Sequence, residues 1–181
     1  KSRMFVGIDP GVTGAVAFLP DSRELSPIIV DIPIITLKTK MPNKVGKDGK
    51  TKLRYKTRST FDYTQIVKLF DPVIDHVKIV NVGIERMNPR FKDTPLTAFT
   101  LGIGYGAWMM LFGCFGIVFE EFQPQTWKAA MALTDDKTKS LQIGRRLFPS
   151  AYEFMRAKSD HNRAEALVLA EYLRRKHTGG V

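Results

Sequence analysis

The stretch Met4-Phe5-Val6-Gly7-Ile8-Asp9, followed by Pro10-Gly11, decides how the chain is read. An unbroken apolar run that ends in a carboxylate and then a Pro-Gly turn is the pattern of a buried strand whose last side chain leaves the core. A second run, Gly14 to Leu19, follows too closely for a crossover helix, so the two form an antiparallel pair. Pro27 to Ile35 supplies a third strand and extends the meander.

Beyond a charged segment, Tyr63 to His76 places Ile66, Leu69, Phe70, Val73 and Ile74 on one helical face, and Val77 to Glu85 is again an apolar strand closing on a carboxylate. Thr94 to Phe119 carries no charge and is long enough to span a bilayer. Gly113 and Gly116 interrupt it, and Asp93, Glu120 and Glu121 flank it. It therefore reads as a buried helix over 94–112, with Leu96, Phe99, Ile103, Ala107 and Met110 inward, then a strand over 116–122; no membrane partner is expected. Short helices near 124–132 and 137–147 and a last helix over 161–176 complete the order βββαβαβαα. That order predicts an α/β fold with a mixed five-stranded sheet, an antiparallel meander then parallel strands, flanked by helices in a single domain over 1–181.

The formal net charge is +10, and residues 38–58 carry nine Lys and Arg against Asp48 alone. Such a concentration favours a polyanion, because basic side chains gain affinity by releasing counterions from phosphates. This basic insertion is expected as a solvated loop or a long β-ribbon, with Lys50, Lys52, Arg54, Lys56 and Arg58 as candidate phosphate contacts. Tyr55 and Phe61 are placed either to stack on bases or to pack on the domain. The single cysteine, Cys114, excludes an internal disulfide framework and a thiolate zinc cluster, and is expected as a buried packing residue. Gly102, Gly104 and Gly106 lie within a helix rather than in a strand-to-helix turn, so they indicate close packing and no nucleotide cofactor.

Asp9 and Glu85 end their strands where open α/β sheets place ligands, in the crevice beyond the strand ends. The segment Ser159-Asp160-His161-Asn162-Arg163-Ala164-Glu165 opens the last helix and offers two more carboxylates. Ser159 or Asp160 also suits a helix cap, and Asn162 with Glu165 has capping-box spacing. Glu165, however, lies among Ala164, Ala166 and Leu167, where a buried glutamate needs a partner. Oxygen ligands without cysteine suit Mg2+, with Mn2+ as a substitute, and two ions per site would serve phosphodiester hydrolysis. His161 is read as a further ligand, as a base for water, or as an exposed helix-start residue.

With Gly7-Ile8-Asp9-Pro10-Gly11-Val12-Thr13-Gly14 at one end, Gly83-Ile84-Glu85-Arg86 in the middle and Arg163-Ala164-Glu165-Ala166-Leu167 at the other, the chain resembles the RuvC family of Holliday junction resolvases. Actin-like ATPases share a similar first motif but need a much longer chain. The resemblance implies an RNase H-like fold and a homodimeric endonuclease that nicks opposed strands of four-way junction DNA symmetrically. It implies metal-ligand roles for Asp9, Glu85 and Glu165. Asn162 stands where the bacterial pattern has an acidic residue or histidine, so Asp160 is expected as the fourth ligand, with His161 as the alternative. Lys128 and Lys139, with Lys137 beside the latter, match positions that hold the scissile-strand phosphates. Arg86, Arg90, Phe91 and Lys92 fall in the loop that opens the junction centre. The basic insertion looks more like the phage and plant organellar branch, which implies a chloroplast nucleoid location, or otherwise a phage or bacterial cytoplasmic one. The same motifs also fit an RNA–DNA hybrid or flap nuclease, or a catalytically silent binding module of the same fold.

Overall fold

The computed structural model describes residues 2–45, 51–89, 91, 93–134 and 136–180. In chain order the elements are β1 (Ser2–Asp9), β2 (Ala15–Pro20), β3 (Ile28–Asp31), β4 (Ile34–Val45), β5 (Thr51–Phe61), α1 (Tyr63–His76), β6 (Val77–Glu85), α2 (Pro95–Phe115), β7 (Phe119–Phe122), α3 (Pro124–Ala130), α4 (Lys137–Leu147) and α5 (His161–Thr178). Two short 3-10 turns, Pro149–Met155 and Lys158–Asp160, lead into α5.

Five strands form one sheet in the order β3-β2-β1-β6-β7, while β4 and β5 pair only with each other. The first three are antiparallel neighbours, and β1, β6 and β7 are parallel. This is the predicted mixed sheet, antiparallel meander then parallel strands, with helices on both faces.

Strand alternation divides the core in two. Met4, Val6 and Ile8 of β1, with Val82 and Ile84 of β6, pack toward Phe70 of α1 and Trp108 and Phe112 of α2. Phe5 lies on the other face, with Leu169 and Leu173 of α5 and Trp127 of α3. Gly7 and Asp9 follow Phe5 on that second face. Gly7 pairs with Gly83 and Ile8 with Ile84, so Asp9 and Glu85 come to the ends of adjacent parallel strands. A Cβ on Gly7 would lie 2.1 Å from the Ala166 carbonyl oxygen and 2.5 Å from the Ala170 amide nitrogen, so α5 rests directly on β1 because Gly7 has no side chain.

Two expected strand boundaries shift. The run Pro27–Ile35 breaks at Ile32-Pro33, because proline cannot donate to a ladder, and Ile34 starts β4 instead. The basic insertion is thus a β-ribbon whose strands, Ile34–Val45 and Thr51–Phe61, reach beyond the expected 38–58 at both ends. After α2, Gly116 adopts the left-handed conformation with φ 61° and caps the helix, so the strand begins at Phe119 and not at residue 116.

α2 also faces the opposite way from the expected one. Its buried residues are Gly104, Trp108, Leu111 and Phe112, whereas Leu96, Phe99, Ile103 and Met110 are exposed. A helix uncharged on every side has no apolar phase to read, and the bulk of Trp108 and Phe112 against Phe70 sets the rotation. Gly104 fits closely under the Phe61 ring, while Gly102 and Gly106 face open space. α2 is long and apolar enough to cross a membrane by length and composition. Cys114, expected inside, is exposed.

Candidate active site

The Asp9 carboxylate stands at the exit of β1, where its Oδ1 accepts a 3.4 Å hydrogen bond from the Gly11 amide. Burial, then the charge of Glu85, raises its carboxyl to about 7, against the weaker pull of the Gly11 amide. Glu85 ends β6 and is held by the Trp127 indole, whose Nε1 donates to Oε2 at 3.0 Å. Burial raises the Glu85 carboxyl as well, partly opposed by Lys128.

Glu165 enters from the second turn of α5. Its two oxygens are divided between two donors: Ser140 Oγ of α4 at 2.9 Å and Lys128 Nζ of α3 at 2.8 Å. Lys128 Nζ also lies 3.6 Å from Glu85 Oε2, so one ammonium stands between two carboxylates. Burial disfavours that ammonium, but the Glu165 hydrogen bond and the charges of Glu85, Glu165 and Asp9 outweigh it and hold it above the ordinary lysine value. The glutamate that needed a buried partner therefore has two, a lysine and a serine.

Asp9, Glu85 and Lys128 line an open cleft of about 610 Å³ whose rim includes Arg86, Asn88, Thr97 and Gln125. The loop after Glu85 borders it directly. Arg86 is exposed there, and Phe91 is fully exposed, which excludes a core role for its ring. Arg90, Lys92 and Lys50 lie outside the described residues, as does the side chain of Lys52. Lys137 and Lys139 are exposed on the first turn of α4, just before Ser140. Of the two aromatic residues in the ribbon, Tyr55 is exposed and Phe61 is buried.

Asp160 and His161 are not brought to this group. The Asp160 carboxylate accepts from the Ala157 amide at 2.7 Å and pairs with Arg163 at 3.3 Å, while Arg163 also grips Asp31. The His161 ring faces the Lys158 carbonyl oxygen. Asn162 donates through Nδ2 to the Thr13 carbonyl oxygen at 2.6 Å, tying the head of α5 to the turn after Asp9. Among the described residues, no three His, Cys, Asp or Glu side chains are grouped closely enough to clasp one ion as they stand. The residues that sequence reasoning missed are Trp127 and Ser140. Both adjoin singled-out lysines, but neither type signals a carboxylate contact before the helices are placed.

The fold is the RNase H-like one, as found in RuvC. Thermus thermophilus RuvC in complex with a Holliday junction substrate superposes with a TM-score of 0.55 over 99% of this chain and 98% of that one, at 14% identity. A second Thermus thermophilus RuvC structure gives 0.52 over the same shares, at 15% identity. At this identity the likeness is one of fold. No protein-family model and no curated protein matches the chain.

Proposed function

We propose that the chain is a metal-dependent endonuclease that resolves four-way DNA junctions by paired, symmetric nicks. The observation that carries this reading is the convergence of Asp9, Glu85 and Glu165 with Lys128 between the carboxylates, at the strand ends of a fold shared with a junction-bound RuvC.

The donor set suits a divalent cation. Three carboxylates, two of them held high by burial, gain from added positive charge, and an all-oxygen set favours Mg2+ or Mn2+ over softer metals. Asp9, Glu85 and Glu165 would hold the metal, which when bound supplies an activated water and stabilises charge on the leaving oxygen. Trp127 and Ser140 orient two of the three carboxylates, and Lys128 is placed to pass from them to a backbone phosphate. Arg86 lines the cleft where an opened junction centre would enter, and the fully exposed Phe91 follows in the same loop. Paired nicking needs two sites related by a twofold axis, and the exposed face of α2 formed by Leu96, Phe99, Ile103 and Met110 suits a second copy.

Labelled four-way junction, duplex, flap and RNA–DNA hybrid, each with and without Mg2+, test the reading with the native chain and Asp9→Asn. Paired nicks at opposed junction strands, absent from the variant, are expected. Equal cutting of plain duplex or hybrid would overturn junction selectivity, and unaltered cutting by the variant would overturn the metal chemistry.

A further inference from the structure

We propose that the β4–β5 ribbon is a DNA-binding arm that lies edge-on in the major groove of a duplex, with one phosphate strand against each of its faces. The choice of duplex DNA rests on the nuclease reading above; the two-sided geometry rests on the ribbon itself.

Between Leu37 and Met41 on β4, and Arg54 and Arg58 on β5, the register is unbroken and assigns each side chain to a face. Directly opposed residues share a face, and the pairs Lys38–Thr57 and Lys40–Tyr55 alternate with Leu37–Arg58, Thr39–Lys56 and Met41–Arg54. One face therefore carries Lys38 and Lys40 on β4, and the opposite face carries Arg54, Lys56 and Arg58 on β5. All five are exposed. These five charges occupy diagonal corners of the ribbon's cross-section, and the described ribbon residues include no acid to neutralise them.

This arrangement separates three kinds of partner. A ribbon lying flat on an anionic membrane, or on the outside of a duplex, would gather its basic residues on one face and leave the other neutral. A phosphate strand on each side uses both faces. With its side chains a sheet is about 10 Å thick, and the major groove of B-DNA, about 12 Å wide, admits a two-stranded ribbon. A-form RNA closes that route, because its major groove is deep and narrow. The arm's root is fixed, since Phe61 is buried under α2 and Arg58 donates a hydrogen bond to Thr100, so ordering the arm on DNA costs little at its base.

The test is binding of the full chain to a plain B-form duplex in EDTA, followed by fluorescence anisotropy across a range of salt concentrations. Lys38→Glu with Lys40→Glu, and separately Arg54→Glu with Lys56→Glu, are each expected to weaken binding by about 10-fold or more, with Arg58 left in place at the root. Each should also flatten the salt dependence, by roughly two phosphate contacts. The matching glutamine sets should shift affinity in the same direction by less, with unchanged melting temperature as the folding control. If only one face matters, or neither, or if only four-way junctions and not plain duplex respond, the groove arrangement is overturned. No cleavage enters this measurement, so an arm that binds as described in a protein that cuts nothing would count against the nuclease reading alone.

Discussion

Lys128 Nζ lies 2.8 Å from Glu165 Oε2, with both side chains largely buried, so a lysine on a seven-residue helix neutralises a carboxylate on α5. With Glu85 at 3.6 Å from the same nitrogen, the ammonium is the internal cation of the acidic cleft. Lys128→Met leaves three converging carboxylates without it. In EDTA the variant is expected to melt several degrees lower than the native chain, since removing one partner of a buried pair costs more than the pair itself contributes. Mg2+ should then raise its melting temperature more than it raises that of the native chain. Differential scanning fluorimetry with a Mg2+ titration checks both, and an equal or smaller Mg2+ response would show that Lys128 does not compete for the site.

Asp9 sets a pH dependence of known sign. Its carboxyl is raised to about 7 in the folded protein from 3.8, so between those values the folded state holds a proton that the unfolded state has lost. Stability from this group is therefore full below about pH 4 and declines as pH rises toward 7. Asp9→Asn removes the decline. In metal-free buffer its melting temperature should exceed that of the native chain by about 5 °C at pH 7.5, with the difference closing near pH 4. Metal affinity of the native chain should rise with pH through 7, as the same proton must leave first.

Trp127→Phe keeps a ring in the core but deletes the N–H that holds Glu85, and Ser140→Ala does the same for Glu165. Each is expected to lower single-turnover cleavage by about 10- to 100-fold with little change in DNA affinity. A parallel loss of binding and cleavage would mean that these residues serve the fold and not the orientation of the carboxylates.

Ile103→Asp puts a charge on the exposed face of α2, away from the core residues Trp108 and Phe112. In a homodimer built on this face the variant should sediment as a monomer with native circular dichroism, and its nicks on a four-way junction should lose their pairing. An unchanged sedimentation coefficient would show that no dimer is built on this face.

The fold was legible where chemistry leaves a local mark. Asp9 and Glu85 end apolar strands, and the helix Tyr63–His76 and strand Val77–Glu85 fall at the residues their patterns predict. The rotation of α2 was not legible, because apolar residues all round a helix fix no phase until Trp108 meets Phe70. Within the site, the three carboxylates were readable from strand and helix ends. Their partners were not, since the Trp127–Glu85 and Ser140–Glu165 contacts join residues far apart in sequence through the placement of α3 and α4. Asp160 illustrates the reverse case: its residue type fits a ligand, but the Ala157 amide and Arg163 claim its oxygens.

Gly7 gives the cleft a mechanical property. Because the Ala166 carbonyl and Ala170 amide of α5 stand in the space a Cβ on Gly7 would need, Gly7 is the fulcrum on which the last helix rests, with Glu165 next to Ala166 and the long arm running toward Thr178. Any side chain at Gly7 would pry the helix away from β1, and the displacement would be felt first in the spacing between Glu165 and Asp9. The acidic cleft is thus calibrated by an atom that is missing, and it can be put out of adjustment without altering any of its carboxylates or Lys128.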